Sequence, residues 1–202
     1  MARQLIVVDI ESTSLDHGTA APVEVALINV DTGESLRFVP HVTVEQLAAA
    51  EPKAMEVNRY YERGLWREAL DASQTAVAWA EVQDWLRGNV FAGSNPAFDS
   101  AIVARQLAGG VFPLPVGRVW HHRLGDLSAF AAGKFDVDPT ELEGLDAVVE
   151  RLALASVERH TAMGDAAATA LCFDVLRHIP AAHLIDAKAA ALAAAHRLGG
   201  GL

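Results

Sequence analysis

Apolar and polar positions along the chain fall into segments with two different periods. Leu5-Ile6-Val7-Val8 are four consecutive large aliphatics without helical spacing, the pattern of a strand buried on both faces of a sheet covered by helices. The run continues as Asp9-Ile10-Glu11 and so ends in two carboxylates one residue apart. Alternate side chains of a strand share a face, so Asp9 and Glu11 can serve one site. A second strand is predicted over 23–30 and a third over 35–39, ended by Pro40. Asp31-Thr32-Gly33-Glu34 between them has the residue types that a tight turn demands, and reads as a turn rather than a ligand loop.

From 44 to 87 the spacing becomes helical. Leu47 and Ala48, then Ala76, Val77, Ala80, Val82, Trp85 and Leu86, recur at mixed intervals of three and four, with Trp79 and Trp85 expected in the core. Short apolar runs predict a fourth strand over 89–93 and a fifth over 116–120. Helices are predicted around Ile102, Val103 and Leu107, over 127–132, over 145–154 with Val148, Val149 and Leu152 inward, and around Ala168, Leu171, Cys172, Val175 and Leu176. A meander followed by alternating helices and strands predicts an α/β sheet flanked by helices.

Composition narrows the setting. The 202 residues are 51% hydrophobic and 21% charged, which suits one compact domain. A formal net charge of −10 gives no global basic field of the kind that drives binding to long nucleic acid, so a polyanionic substrate must be handled by metals and a local patch. Cys172 is the only cysteine, which excludes an internal disulfide and fits a reducing cytoplasm. The short apolar run near the N-terminus, Leu5 to Val8, is too short for a signal peptide or a membrane span. The alanine-rich stretch over 181–195 contains Asp186 and Lys188, so no membrane is expected there either.

The candidate chemistry lies at the ends of these segments. Asp9 and Glu11 are either solvated at a strand end or neutralised by a divalent cation, and the pair alone leaves both readings open. Asp99 stands at a helix start just past a strand, which is where sites gather in open α/β sheets and also where capping acids occur. His160 falls in a connection and Asp165 in the first turn of the next helix, where an anion is favoured. The acidic run Asp136, Asp138, Glu141, Glu143 and Asp146 lacks the ligand order of an EF-hand and contains Pro139, so it reads as a solvated loop. Tyr60 and Tyr61 between Arg59 and Arg63 either grip a nucleotide or lie on an ordinary helix surface.

Taken together and in order, three motifs resemble the DnaQ-like exonucleases of the DEDDh type. They are Asp9-Ile10-Glu11-Ser12-Thr13-Ser14-Leu15, Ser94-Asn95-Pro96-Ala97-Phe98-Asp99, and His160 with Asp165 in an H-x4-D spacing. The resemblance extends over roughly 5–176. Ser94 replaces the usual His of the second motif and Ser14 the usual Gly of the first, and neither change removes a metal ligand.

The resemblance implies an RNase H-like fold with a central mixed five-stranded sheet of order 3-2-1-4-5, strand 2 antiparallel, in a domain over 1–178. Residues 179–202 would form an alanine-rich helical extension that binds a protein partner or a second copy. It implies a 3'-5' exonuclease acting on the 3' ends of single-stranded DNA or RNA and releasing nucleoside 5'-monophosphates. Two Mg2+ or Mn2+ ions about 4 Å apart are expected. Asp9 would bridge both ions, Glu11 and Asp165 would complete the site that activates water, Asp99 would support the second ion, and His160 would be the general base. Ser12, Thr13, Leu15, Asn95 and Phe98 would contact the substrate, with Leu15 wedged beneath the terminal base. The alternatives are a non-catalytic RNase H-like binding module and a two-metal hydrolase of small phosphates.

Overall fold

A computed structural model describes residues 2–109, 118–154 and 160–179. Its centre is β1 (Leu5–Ser12), whose aliphatics are buried on both faces as their continuous run requires. β2 (Pro22–Asn29) pairs antiparallel with β1, and β3 (Ser35–Phe38) pairs antiparallel with β2. The β2–β3 turn is tight because Asn29 Oδ1 accepts the N–H groups of Asp31 and Thr32 while Gly33 adopts φ 77°. Asp31 is occupied structurally: it accepts the Leu5 N–H at 2.8 Å and pairs with Arg177 at 2.7 Å.

The chain then crosses one face as α1 (Val44–Ala48), α2 (Pro52–Asn58), a 3-10 turn (Leu65–Arg67) and α3 (Ala72–Leu86). It returns as β4 (Val90–Gly93), parallel to β1, and runs into α4 (Pro96–Ala108). β5 (Gly125–Asp126) lies parallel to β4 and is followed by α5 (Leu127–Phe135), α6 (Leu145–Arg151) and α7 (Ala162–His178). The sheet order is β3-β2-β1-β4-β5, as expected.

Strand parity sets the two layers. Ile6, Val8 and Ile10 pack with Trp79, Val82, Leu86, Ile102 and Val103 of α3 and α4. Val7 packs on the opposite face with Leu127, Ala131, Cys172, Phe173 and Leu176 of α5 and α7. Burying each such side chain contributes roughly 1.5–3 kcal/mol. Asp9 and Glu11 share the parity of Val7, so β1 delivers both acids to the α7 side of the sheet.

The fifth strand differs from the expectation over 116–120. Arg118, Val119 and Trp120 form no strand, and positions 116 and 117 lie outside the described residues. Trp120 is apolar because it plugs the core against Phe91, with ring centroids 5.1 Å apart. The strand is instead the two-residue Gly125-Asp126, where a Cβ on Gly125 would meet the Ala92 Cβ at 3.0 Å and the Leu5 Cδ1 at 3.2 Å. Edge strand and sheet can approach this closely because position 125 has no side chain. The segment over 181–195 lies outside the described residues. Among the described residues no helix is long and apolar enough to cross a membrane.

Candidate active site

α7 completes what β1 begins. Thr161 caps the helix by accepting the Gly164 N–H on its hydroxyl at 2.9 Å, and its carbonyl accepts the Asp165 N–H at 2.9 Å. This fixes Asp165 in the first turn, beside the end of β1. One carboxylate oxygen from each of Asp9, Glu11 and Asp165 lies within 4.8 Å of the other two, and all three residues are half-buried. An all-carboxylate donor set of this size suits a hard divalent cation such as Mg2+ or Mn2+.

Asp99 stands next to that group without belonging to it. It is buried, and its Oδ1 accepts the N–H of Ile10, the residue between the two acids of β1, at 3.0 Å. Asp99 is therefore not a cap; the N-cap of α4 is Asn95, which makes no side-chain cap bond. Burial pushes the Asp99 carboxyl up to about 7, against the pull of two backbone hydrogen bonds, and the negative charge of Glu11 pushes in the same direction as burial. A carboxyl so destabilised as an anion beside three others is a group that a bound cation would return to its charged form.

His160 is exposed and immediately precedes the Thr161 cap, with φ 59° in the left-handed region. The residues expected to touch substrate divide into two sets. Ser12 and Thr13 are buried and turned to internal work: the Ser12 hydroxyl donates to the Ser14 carbonyl at 2.8 Å, and the Thr13 hydroxyl accepts the Ala21 N–H at 2.9 Å. Leu15 is 80% exposed, so it is not part of the core. Its loop is tied by Asp16, whose carboxylate accepts from the Gly18 N–H and the Thr19 hydroxyl, both at 2.9 Å. Asn95 is exposed and Phe98 half-buried.

His17 meets Phe98 edge-on, with centroids 6.4 Å apart. No spacing in the sequence singles His17 out.

The tyrosine and arginine cluster lies in the turn that follows α2. Tyr60 is buried, and Arg63 reaches inward to the buried Glu24 at 2.8 Å, so neither is available to a nucleotide. Arg59 is exposed at the left-handed C-cap of α2. Sequence leaves both readings of the cluster open because the partner of Arg63 lies 39 residues away.

A mixed sheet of order β3-β2-β1-β4-β5 flanked by helices, with carboxylates gathered at the end of its central strand, is an RNase H-like fold with a candidate metal site. The chain belongs to the RNase T exonuclease family, whose sequence pattern covers residues 6–173. The fold is similar to that of exonuclease I from Methylocaldum szegediense, at TM-score 0.66 and 18% identity over 87% of this chain and 40% of that one. It is similar to E. coli exonuclease I in complex with a dA16 oligonucleotide, at TM-score 0.65 and 15% identity over 88% of this chain and 41% of that one. Cell-death related nuclease 4 (CRN-4) aligns at TM-score 0.62 and 16% identity, over 88% of this chain and 64% of that one. The chain thus spans less than half of these exonuclease I chains and just under two thirds of CRN-4. No curated protein sequence matches it.

Proposed function

We propose that the protein is a metal-dependent 3'-5' exonuclease that hydrolyses phosphodiester bonds at the 3' end of single-stranded DNA or RNA and releases nucleoside 5'-monophosphates. The observation that carries this reading is the convergence of Asp9, Glu11 and Asp165, from opposite ends of the sequence, within 4.8 Å. Asp9, Glu11, Asp99 and Asp165 would hold two Mg2+ or Mn2+ ions, which when bound supply an activated nucleophile and charge stabilisation for the departing 3' oxygen. His160, exposed at the mouth of α7, takes the proton of the attacking water, a task for which an imidazole is suited at neutral pH.

Leu15, exposed on a loop tied by Asp16, packs against the terminal base, and Phe98 offers an aromatic edge to the nucleotide beside it. Single strands fit better than duplex. The net charge is −10 and two of the arginines, Arg37 and Arg63, are spent on Glu24, so few phosphates can be neutralised by protein cations. E. coli exonuclease I in complex with ssDNA is a precedent for this substrate class on the same fold.

The test uses 5'-labelled single strands of matched DNA and RNA, with Mg2+, with Mn2+ and with chelator, and Asp9→Asn as control. The expected result is a metal-dependent ladder shortened one nucleotide at a time from the 3' end, absent in Asp9→Asn. No cleavage with either metal, or equal cleavage by Asp9→Asn, would overturn the reading and favour a non-catalytic binding module.

A further inference from the structure

Glu24 is a carboxylate in the middle of a hydrophobic sheet with no solvent exposure at all. A charge in such a place must be compensated by ion pairs and hydrogen bonds. Two compensations are arginines: Arg37 Nε at 2.7 Å and a terminal nitrogen of Arg63 at 2.8 Å, with Arg37 held in turn by Glu68 at 2.7 Å. The third is different in kind. Glu24 Oε2 accepts the backbone N–H of Ala162 at 3.1 Å, across 138 residues of sequence.

Ala162 is the first residue of α7, and its N–H is one of the donors that a helix start leaves without an intrahelical acceptor. A carboxylate there is also favoured by the helix dipole. The first turn of α7 is therefore gripped from two sides: by Thr161, through the Gly164 N–H, and by Glu24, through the Ala162 N–H. That turn is bracketed by His160 before it and Asp165 within it. In the β1–β2 register Glu24 stands directly opposite Glu11, and directly opposed residues of an antiparallel pair share a face. The same rung of the sheet thus supplies one carboxylate to the acidic cluster and one to the backbone that carries Asp165.

We infer that Glu24 is a positioning residue that fixes the first turn of α7, and with it Asp165 and His160, against Asp9 and Glu11. The inference rests on the reading of this cluster as a metal-dependent nuclease site. The arginine pairs balance the buried charge, and the bond to Ala162 transmits position.

Two variants separate these roles. Glu24→Asp keeps the charge for the long guanidinium groups but withdraws the carboxylate by one methylene from Ala162. Ala162→Pro leaves Glu24 and its arginines in place and deletes the donor; proline is tolerated at the first position of a helix, and Thr161 before it is already extended, at φ −132° and ψ 139°. In each variant, amide exchange at residues 163–165 should accelerate while exchange in β1, β4 and α4 stays at the wild-type rate. Mn2+ affinity should fall by about 10–100-fold, the range for groups that orient metal ligands. Turnover of a single-stranded oligonucleotide should fall with it, at a KM within about twofold.

The proposal is overturned if either folded variant keeps wild-type exchange and Mn2+ affinity, or if exchange accelerates uniformly over the whole domain. Should Glu24→Asp fail to fold, Ala162→Pro decides alone. A wild-type protein that binds Mn2+ but cuts nothing would sink the nuclease reading, and the exchange and affinity measurements would still decide the role of Glu24.

Discussion

Asp99→Asn should make the metal-free protein more stable at alkaline pH while damaging its metal site. Asp99 is only 7% exposed, and burial together with Glu11 pushes its carboxyl from its ordinary value of 3.8 up to about 7. In the unfolded chain it reverts to the ordinary value, so between about 4 and 7 the native state binds a proton that the unfolded state has released. Stability must then fall as pH rises through this window. The relative contribution is fully present below about 4 and lost above about 7.

A difference of about three pKa units, at about 1.4 kcal/mol each, sets an upper figure near 4 kcal/mol, and roughly 2–4 kcal/mol is the expected penalty at pH 8.5. Asparagine keeps an oxygen that can accept the Ile10 N–H, which the native carboxylate holds at 3.0 Å, and so removes the charge without emptying the site. Urea unfolding of both proteins in chelator at pH 4.5, 6, 7 and 8.5 measures this. The curves should converge at the acid end and separate with rising pH, the variant above. Adding Mn2+ should reverse the order, because the wild type gains a ligand charge and the variant does not. Parallel pH profiles, or a variant less stable than the wild type in chelator at pH 8.5, would refute the reasoning.

His160→Ala should lower turnover by about 10²–10⁴-fold with Mn2+ affinity kept in calorimetry, as for a base that is not a ligand. Leu15→Ala should leave the unfolding free energy within about 0.5 kcal/mol, since the side chain is 80% exposed, while raising the KM for a single-stranded 3' end in steady-state assays. Gly125→Ala should cost about 1–3 kcal/mol in urea unfolding, because the new methyl meets Ala92 at 3.0 Å and Leu5 at 3.2 Å. The salt dependence of single-strand binding should be shallow, each contacted phosphate adding about 0.7 to the logarithmic slope; a steep slope with equal cleavage of blunt duplex would contradict the proposed preference for single strands.

Features legible in the sequence are those that local periodicity carries. Val7, Asp9 and Glu11 fall on one face by strand parity, and Asp165 stands one turn into an apolar helix, so their convergence needed only the sheet to be built in the right order. The fifth strand was not legible, because two residues, Gly125 and Asp126, carry no apolar signal while the core plug Trp120 does. Whether Tyr60 and Arg63 grip a nucleotide or lie on a helix surface stays open in sequence for a related reason: the buried acid that claims Arg63 sits on a distant strand. Glu24 itself gave no sign. In sequence it is one polar residue within a strand; only the pairing of β1 with β2 and the arrival of α7 show what it holds.

The order in which these pieces leave the ribosome follows from the same architecture. β1 is made first and α7 is the last helix among the described residues, yet α7 packs on both β1 and β2, so the domain is rich in contacts between distant parts of the chain. Such topologies fold slowly. Synthesis proceeds at about 5–20 residues per second. A nascent chain therefore carries Asp9 and Glu11, and later Asp99, for many seconds before Asp165 exists, and through that interval the group that Asp165 completes lacks one member. Until Asp165 has been made the acidic cluster is incomplete, and the packing of α7 on the sheet, which closes the core, is also the step that assembles the site.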